Sequence, residues 1–137
     1  MGRMRPMWCY IYRAGDGIMG DRINIELRFG YSCTENHPNS IHIYGHWAGV
    51  HVIKGNLLRF AVDAARTRWQ DPTYCARIIM SRLMAASHND TTGWGISPDY
   101  IDSENPAVVV DLENHTVTVG SEEFSFEEYC EGVLFSE

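Results

Sequence analysis

Ile41-His42-Ile43-Tyr44-Gly45-His46-Trp47 alternates apolar and polar side chains, the pattern of a strand with one buried face. Successive side chains of a strand point to opposite faces of its sheet. Ile41 and Ile43 therefore enter a core, while His42, Tyr44 and His46 share the other face. Trp47 stands at the strand end, and the chain leaves through Gly49. The polar face is either a site or a surface left in water. His42 and His46 lie roughly 13 Å apart along such a strand, too far for both to hold one ion. A metal would need distant ligands that no spacing names, so no metal site is expected.

Outward from this strand the pattern is regular. Before it, Ile23, Ile25, Leu27 and Phe29 alternate with Arg22, Asn24, Glu26 and Arg28, a second half-buried strand. The Asn-, Ser- and Gly-rich stretch from Gly30 to Ser40 joins the two as antiparallel neighbours. After it, Ile53, Leu57, Phe60, Ala61 and Ala64 recur at helical spacing and predict one helix over Val52–Thr67, with Gly55 in its first turn. Asp71-Pro72 predicts a second helix, its free backbone donors capped by Asp71, with Ala76, Ile79, Met80 and Leu83 inward. Gly93 to Ser97 is a candidate short strand. Val108–Leu112 and Thr116–Val119 form a hairpin turning at Glu113-Asn114-His115, and Ser125 with Glu128 forms a capping box for a short last helix ended by Gly132. Helices grouped between two antiparallel pairs predict an α+β two-layer sandwich. It consists of a mainly antiparallel sheet of four to five strands, two central helices and a short C-terminal helix. The expected core is Ile25, Leu27, Ile43, Leu57, Phe60, Ile79, Leu83, Val108, Val110 and Val117.

The 137 residues suit one domain, and 45% apolar content is that of a globular chain. Residues 19–137 are read as that domain. Residues 1–18 are read as an upstream extension, with a chain start at Met19; the alternative is an extra strand over Met7–Tyr12. No apolar run is long enough to span a bilayer, so no membrane partner is expected. The four cysteines form no metal or redox spacing and read as free thiols in a reducing cytoplasm. The net charge of −7 argues against general DNA binding, because phosphate contacts dominate such affinity. The charge is also segregated. Six cations face two carboxylates between Val52 and Ala86, whereas ten carboxylates and no Lys or Arg follow Ile101.

No phosphate loop, dinucleotide fingerprint or GxSxG context occurs, and no cofactor is expected. The candidate ligand site combines His46 and Trp47 with Gly93, Trp94 and Gly95, where glycines let backbone approach a guest. Arg66, Arg68 and Arg77 from the helical pair would supply positive charge. His46 could act as a base or anion partner, and the tryptophans could stack a nucleobase. The competing structural reading is that His46 bonds a backbone carbonyl while both tryptophans pack.

Several pieces carry a family resemblance. They are Met19-Gly20-Asp21-Arg22-Ile23-Asn24, Tyr44-Gly45-His46-Trp47-Ala48-Gly49, Arg68-Trp69-Gln70-Asp71-Pro72 and Ala76-Arg77-Ile78-Ile79. They continue with Thr92-Gly93-Trp94-Gly95-Ile96, Val109-Val110-Asp111-Leu112-Glu113-Asn114-His115-Thr116-Val117 and Phe124-Ser125-Phe126-Glu127-Glu128. Together they resemble an uncharacterised family of short proteins from bacteriophages, archaeal viruses and mobile elements. Its members tend to begin where Met19 stands and to carry a serine at the position of Gly45. The resemblance implies a small viral accessory protein in the host cytoplasm and no known activity. The expected function is binding that antagonises a host defence or regulatory system, through a host protein or a small nucleotide-like ligand. The alternative is a small nucleotide or phosphoester enzyme with His46 as acid/base. An open sheet face and opposite-sign patches also suit a homodimer.

Overall fold

The computed structural model describes residues 21–31, 37–85 and 91–132. The expected extension over residues 1–18 and the strand alternative Met7–Tyr12 lie outside them. The alternation of the first segment becomes β1 (Ile23–Tyr31), and the His-rich segment becomes β2 (Pro38–Gly45). They pair antiparallel with Ile25 opposite Ile43 and Glu26 opposite His42. The register slips between Arg28 and Gly30, where Gly30 adopts φ +146°, a conformation that glycine takes without steric penalty. β3 (Trp94–Ser97) lies outside β2, and β4 (Val108–Asp111) runs parallel to β1 on its other side. β5 (Thr116–Val119) and β6 (Glu122–Ser125) complete one six-stranded sheet in the order β3-β2-β1-β4-β5-β6.

The architecture is α+β, with one strand more than expected among the described residues. β6 escapes sequence inspection because Glu122-Glu123 breaks the apolar alternation. A two-residue turn at Gly120-Ser121, with Gly120 at φ +62°, nevertheless folds it back on β5. The His115 turn also appears as expected, with His115 itself at φ +59°.

The helical segment after β2 departs from expectation. Instead of one helix over Val52–Thr67 there are two: α1 (Gly49–Ile53) and α2 (Leu57–Ala64). The break lies at Lys54-Gly55-Asn56, where a Cβ on Gly55 would come within 2.7 Å of the His51 carbonyl oxygen. Restarting the helix changes its phase. The inward residues become Leu58, Ala61, Val62 and Ala65, while Leu57 is half-buried and Phe60 is 60% exposed. A 3-10 turn at Arg66–Arg68 then leads into α3 (Pro72–Leu83). The other expected core residues, Ile25, Leu27, Ile43, Ile79, Leu83, Val108, Val110 and Val117, are all buried. The helices therefore cover the face of the sheet that carries the odd-numbered residues of β1.

Pro72 occupies the first turn of α3, but the Asp71 side chain makes no capping bond. It faces Arg68 at 3.6 Å, an exposed ion pair. Asp71→Ala should accordingly shift stability by only about 0–1 kcal/mol. A denaturant-midpoint loss at the upper end of the capping range, near ~2 kcal/mol, would restore the capping role. At the last helix, α4 (Phe126–Cys130), the capping box forms in full: Ser125 Oγ accepts from Glu128 N and Glu128 accepts from Ser125 N. Gly132 follows at φ +85°. No helix among the described residues is long and apolar enough to cross a membrane.

Candidate functional site on the outer face of the sheet

The face turned away from the helices carries Asn24, Glu26 and Arg28 on β1 beside Ser40, His42 and Tyr44 on β2. It is not simply left in water. Asn24, Glu26 and His42 are 4%, 2% and 6% exposed, because the chain between β3 and β4 crosses over them. Asn24 replaces a backbone partner for that crossing segment: its Nδ2 donates to Ile101 O (2.6 Å) and its Oδ1 accepts from Ile101 N (3.0 Å). Asn105 Nδ2 donates to Asp21 Oδ1 and to Arg22 O, each at 2.7 Å, and Arg22 pairs with Glu104 at 2.9 Å. The segment is thus tied down at both ends.

Glu26 is the centre of this face. Its carboxylate accepts from Arg28 Nε (3.0 Å) and Nη2 (3.2 Å), from Ser40 Oγ (2.5 Å) and from the Tyr100 hydroxyl. Burial pushes its pKa up, but the bonds from Arg28, Ser40 and Tyr100 more than reverse that and hold it down at about 2. Burial, and then the bond to Glu26, pushes the Tyr100 phenol up. The two shifts diverge, so at neutral pH Glu26 stays ionised and Tyr100 stays protonated.

His42 lies opposite Glu26, yet the carboxylate is taken by others. Its ring meets Tyr100 edge-on with centroids 4.4 Å apart, and its buried Nδ1 has no hydrogen-bond partner among the described residues. His46 follows the strand. Its backbone N–H donates to Gly93 O at 2.8 Å, its Nδ1 stands 3.4 Å from the Tyr44 hydroxyl, and Trp47 approaches its ring at 4.7 Å. Arg22 stands against Tyr44 on the same face, and the Glu104 and Tyr44 oxygens raise its pKa. No spacing in the sequence singled Arg22 out; its even-numbered place one step before β1 was the available signal.

His46 meets Gly93 at the β2–β3 junction, Gly95 pairs with Tyr44, and Trp47 lies against the His46 ring. The side chain of Trp94 does not join them. Trp94 pairs with Gly45 on the helix-covered side, where a Cβ on Gly45 would stand 2.8 Å from the indole ring. Position 45 therefore has no room for a serine unless Trp94 shifts. Nor do the predicted arginines reach the imidazoles. Arg66 pairs with Asp63 (2.9 Å) and lies 4.6 Å over Trp69, while Arg68 pairs with Asp71 and lies 5.1 Å over Tyr74. Arg77 borders a shallow hollow of about 520 Å³ with Met80, Ser81, Met84 and Ala85. The reason is the alternation of the strands. Helices pack on the apolar side only, and the histidines point to the other.

Cys75 and Cys130 are free, with burial raising both thiols to about 11, so neither is a thiolate at neutral pH. Among the described residues, no three His, Cys, Asp or Glu side chains gather closely enough to hold a metal ion. Comparison with protein-family models, curated proteins and solved structures finds no match to the chain.

Proposed function

We propose that this chain is a small bacteriophage accessory protein that works in the host cytoplasm by binding. It antagonises a host defence or regulatory system by occupying a host protein or sequestering a nucleotide-like signal. The viral context rests on the sequence resemblance. Binding rather than turnover is supported by one observation above the others, the state of the Glu26 carboxylate. It is the buried base of the outer face, and four hydrogen bonds and a low pKa commit it to structure. Neither neighbouring histidine is bonded to a carboxylate among the described residues, which leaves the general base without the orienting partner that acid/base catalysis requires.

The alternative, a nucleotide or phosphoester enzyme, draws on the Tyr44–His46 contact at 3.4 Å. Native mass spectrometry of the protein recovered from infected cells separates the two. A retained protein or nucleotide-like molecule, lost in His46→Ala while the melting temperature stays within about 2 °C, is the expected result. Release of a chemically altered nucleotide by the wild type, abolished by His46→Ala, would favour the enzyme. Recovery of the bare protein would remove the binding reading. The same spectra report whether the chain is a homodimer.

A further inference from the structure

We propose that the outer edge of β3 is a docking edge that takes an extended, positively charged segment of a partner protein as a seventh strand. The proposal rests on the binding reading and specifies the kind of partner.

The register shows which backbone groups of β3 lack a partner strand among the described residues. His46 N–H bonds Gly93 O, and the pairing continues as Gly45–Trp94, Tyr44–Gly95, Ile43–Ile96 and His42–Ser97. In an antiparallel ladder the bonded pairs alternate. Gly93, Gly95 and Ser97 therefore turn their N–H and C=O groups toward β2. Trp94 and Ile96 turn theirs outward, and among the described residues β3 is an end strand of the sheet.

The two ends of the sheet differ in how they are defended. Charges, prolines and bulges normally protect an edge against strand addition. β6 carries exposed Glu122 and Glu123, whereas β3 carries no charge and an Ile96 that is 59% exposed, with Pro98 only after its last residue. On the outer face a Cβ built on Gly95 meets nothing within 4 Å, so a side chain of an added strand can pass over it. An apolar side chain of that strand would lie beside Ile96. Strand addition of this kind takes its affinity from main-chain bonds and its specificity from alternate side chains. The charge of the occupant follows from the surroundings. β3 runs into exposed Asp99, whose carboxylate accepts only a backbone N–H among the described residues, and the whole chain carries −7. Such a field favours a cationic partner and repels an acidic one.

The test uses two blocked eight-residue peptides, alternating valine–lysine and alternating valine–glutamate, titrated into the full chain and followed by calorimetry. The lysine peptide should bind, and the glutamate peptide should bind at least about tenfold more weakly. Ile96→Pro removes an outward N–H while leaving the bonds to β2 in place. It should abolish binding with an unchanged circular dichroism spectrum. Ile96→Lys, which keeps the backbone intact, should weaken the lysine peptide by about tenfold by replacing the apolar contact with a charge that protects the edge. Equal binding of the two peptides, or undiminished binding by the folded variants, would overturn the proposal. So would a wild-type dimer that Ile96→Lys dissociates, since a second copy would then be the occupant. A ligand still retained from infected cells by Ile96→Pro would leave the binding reading standing and remove β3 as its seat.

Discussion

Glu26→Gln should lower the unfolding free energy by about 3 kcal/mol at neutral pH, within the range for stripping one partner from a buried ion pair. Glutamine keeps the size of the side chain but withdraws the charge that Arg28, Ser40 and Tyr100 converge on. Arg28 is left without its counter-charge in a place where its side chain is only 23% exposed. The pH dependence gives an independent check. The folded pKa of about 2 lies below the ordinary 4.5, so this contribution is complete above pH 4.5. It is lost as the pH falls through 2. The gap between wild type and Glu26→Gln should therefore narrow from about 3 kcal/mol at pH 7 toward zero near pH 2. Urea titrations of both proteins across that range measure it. A gap that stays constant with pH would assign the loss to packing and not to the carboxylate.

Phe126→Ala should destabilise the protein by about 3–5 kcal/mol, the usual consequence of emptying a buried aromatic position. Phe126 is 1% exposed and is the first residue of a helix only five residues long. Its ring lies 5.2 Å from Trp69 and stacks at 5.3 Å on His115. It therefore joins the helical layer to the β4–β5 turn, and its backbone N–H donates to His115 O. A helix this short has little stability of its own and depends on its buried face. Denaturation followed by far-UV circular dichroism should show the loss together with altered Trp69 fluorescence. A change below about 1 kcal/mol would place α4 outside the cooperative core.

The elements that were legible in the sequence are those whose signal is local. Alternation in Arg22–Phe29 and Ile41–Trp47 specified two strands and their core faces, because the two-residue period of a strand is a property of the backbone alone. The Ser125–Glu128 capping box and the terminating Gly132 were readable for the same reason. Where a local signal had a competitor, it failed. Asp71 has the right residue type for a cap, but Arg68 sits three residues earlier and engages its side chain. The Phe60 stripe was plausible for an unbroken helix. The first helix instead ends before Gly55, whose N–H donates to Val50 O, and the next begins in a different phase with Phe60 outward.

The candidate site shows the same division more sharply. His46 and Gly93 come together because the sequence puts them beside the ends of strands that become neighbours. Side-chain alternation in β2 already implied that the histidines face away from any helix packed on Ile41 and Ile43. The local pattern thus determined the fold class and the polar face. Only the tertiary structure decided that the crossing segment from β3 to β4 would bury Asn24, Glu26 and His42, and that Arg22, not a helical arginine, would stand beside Tyr44. It also decided that Trp94 would pack behind Gly45 and that β3 would be an end strand. Those outcomes depend on which distant segments meet, and contacts of that kind leave no periodic trace in the chain.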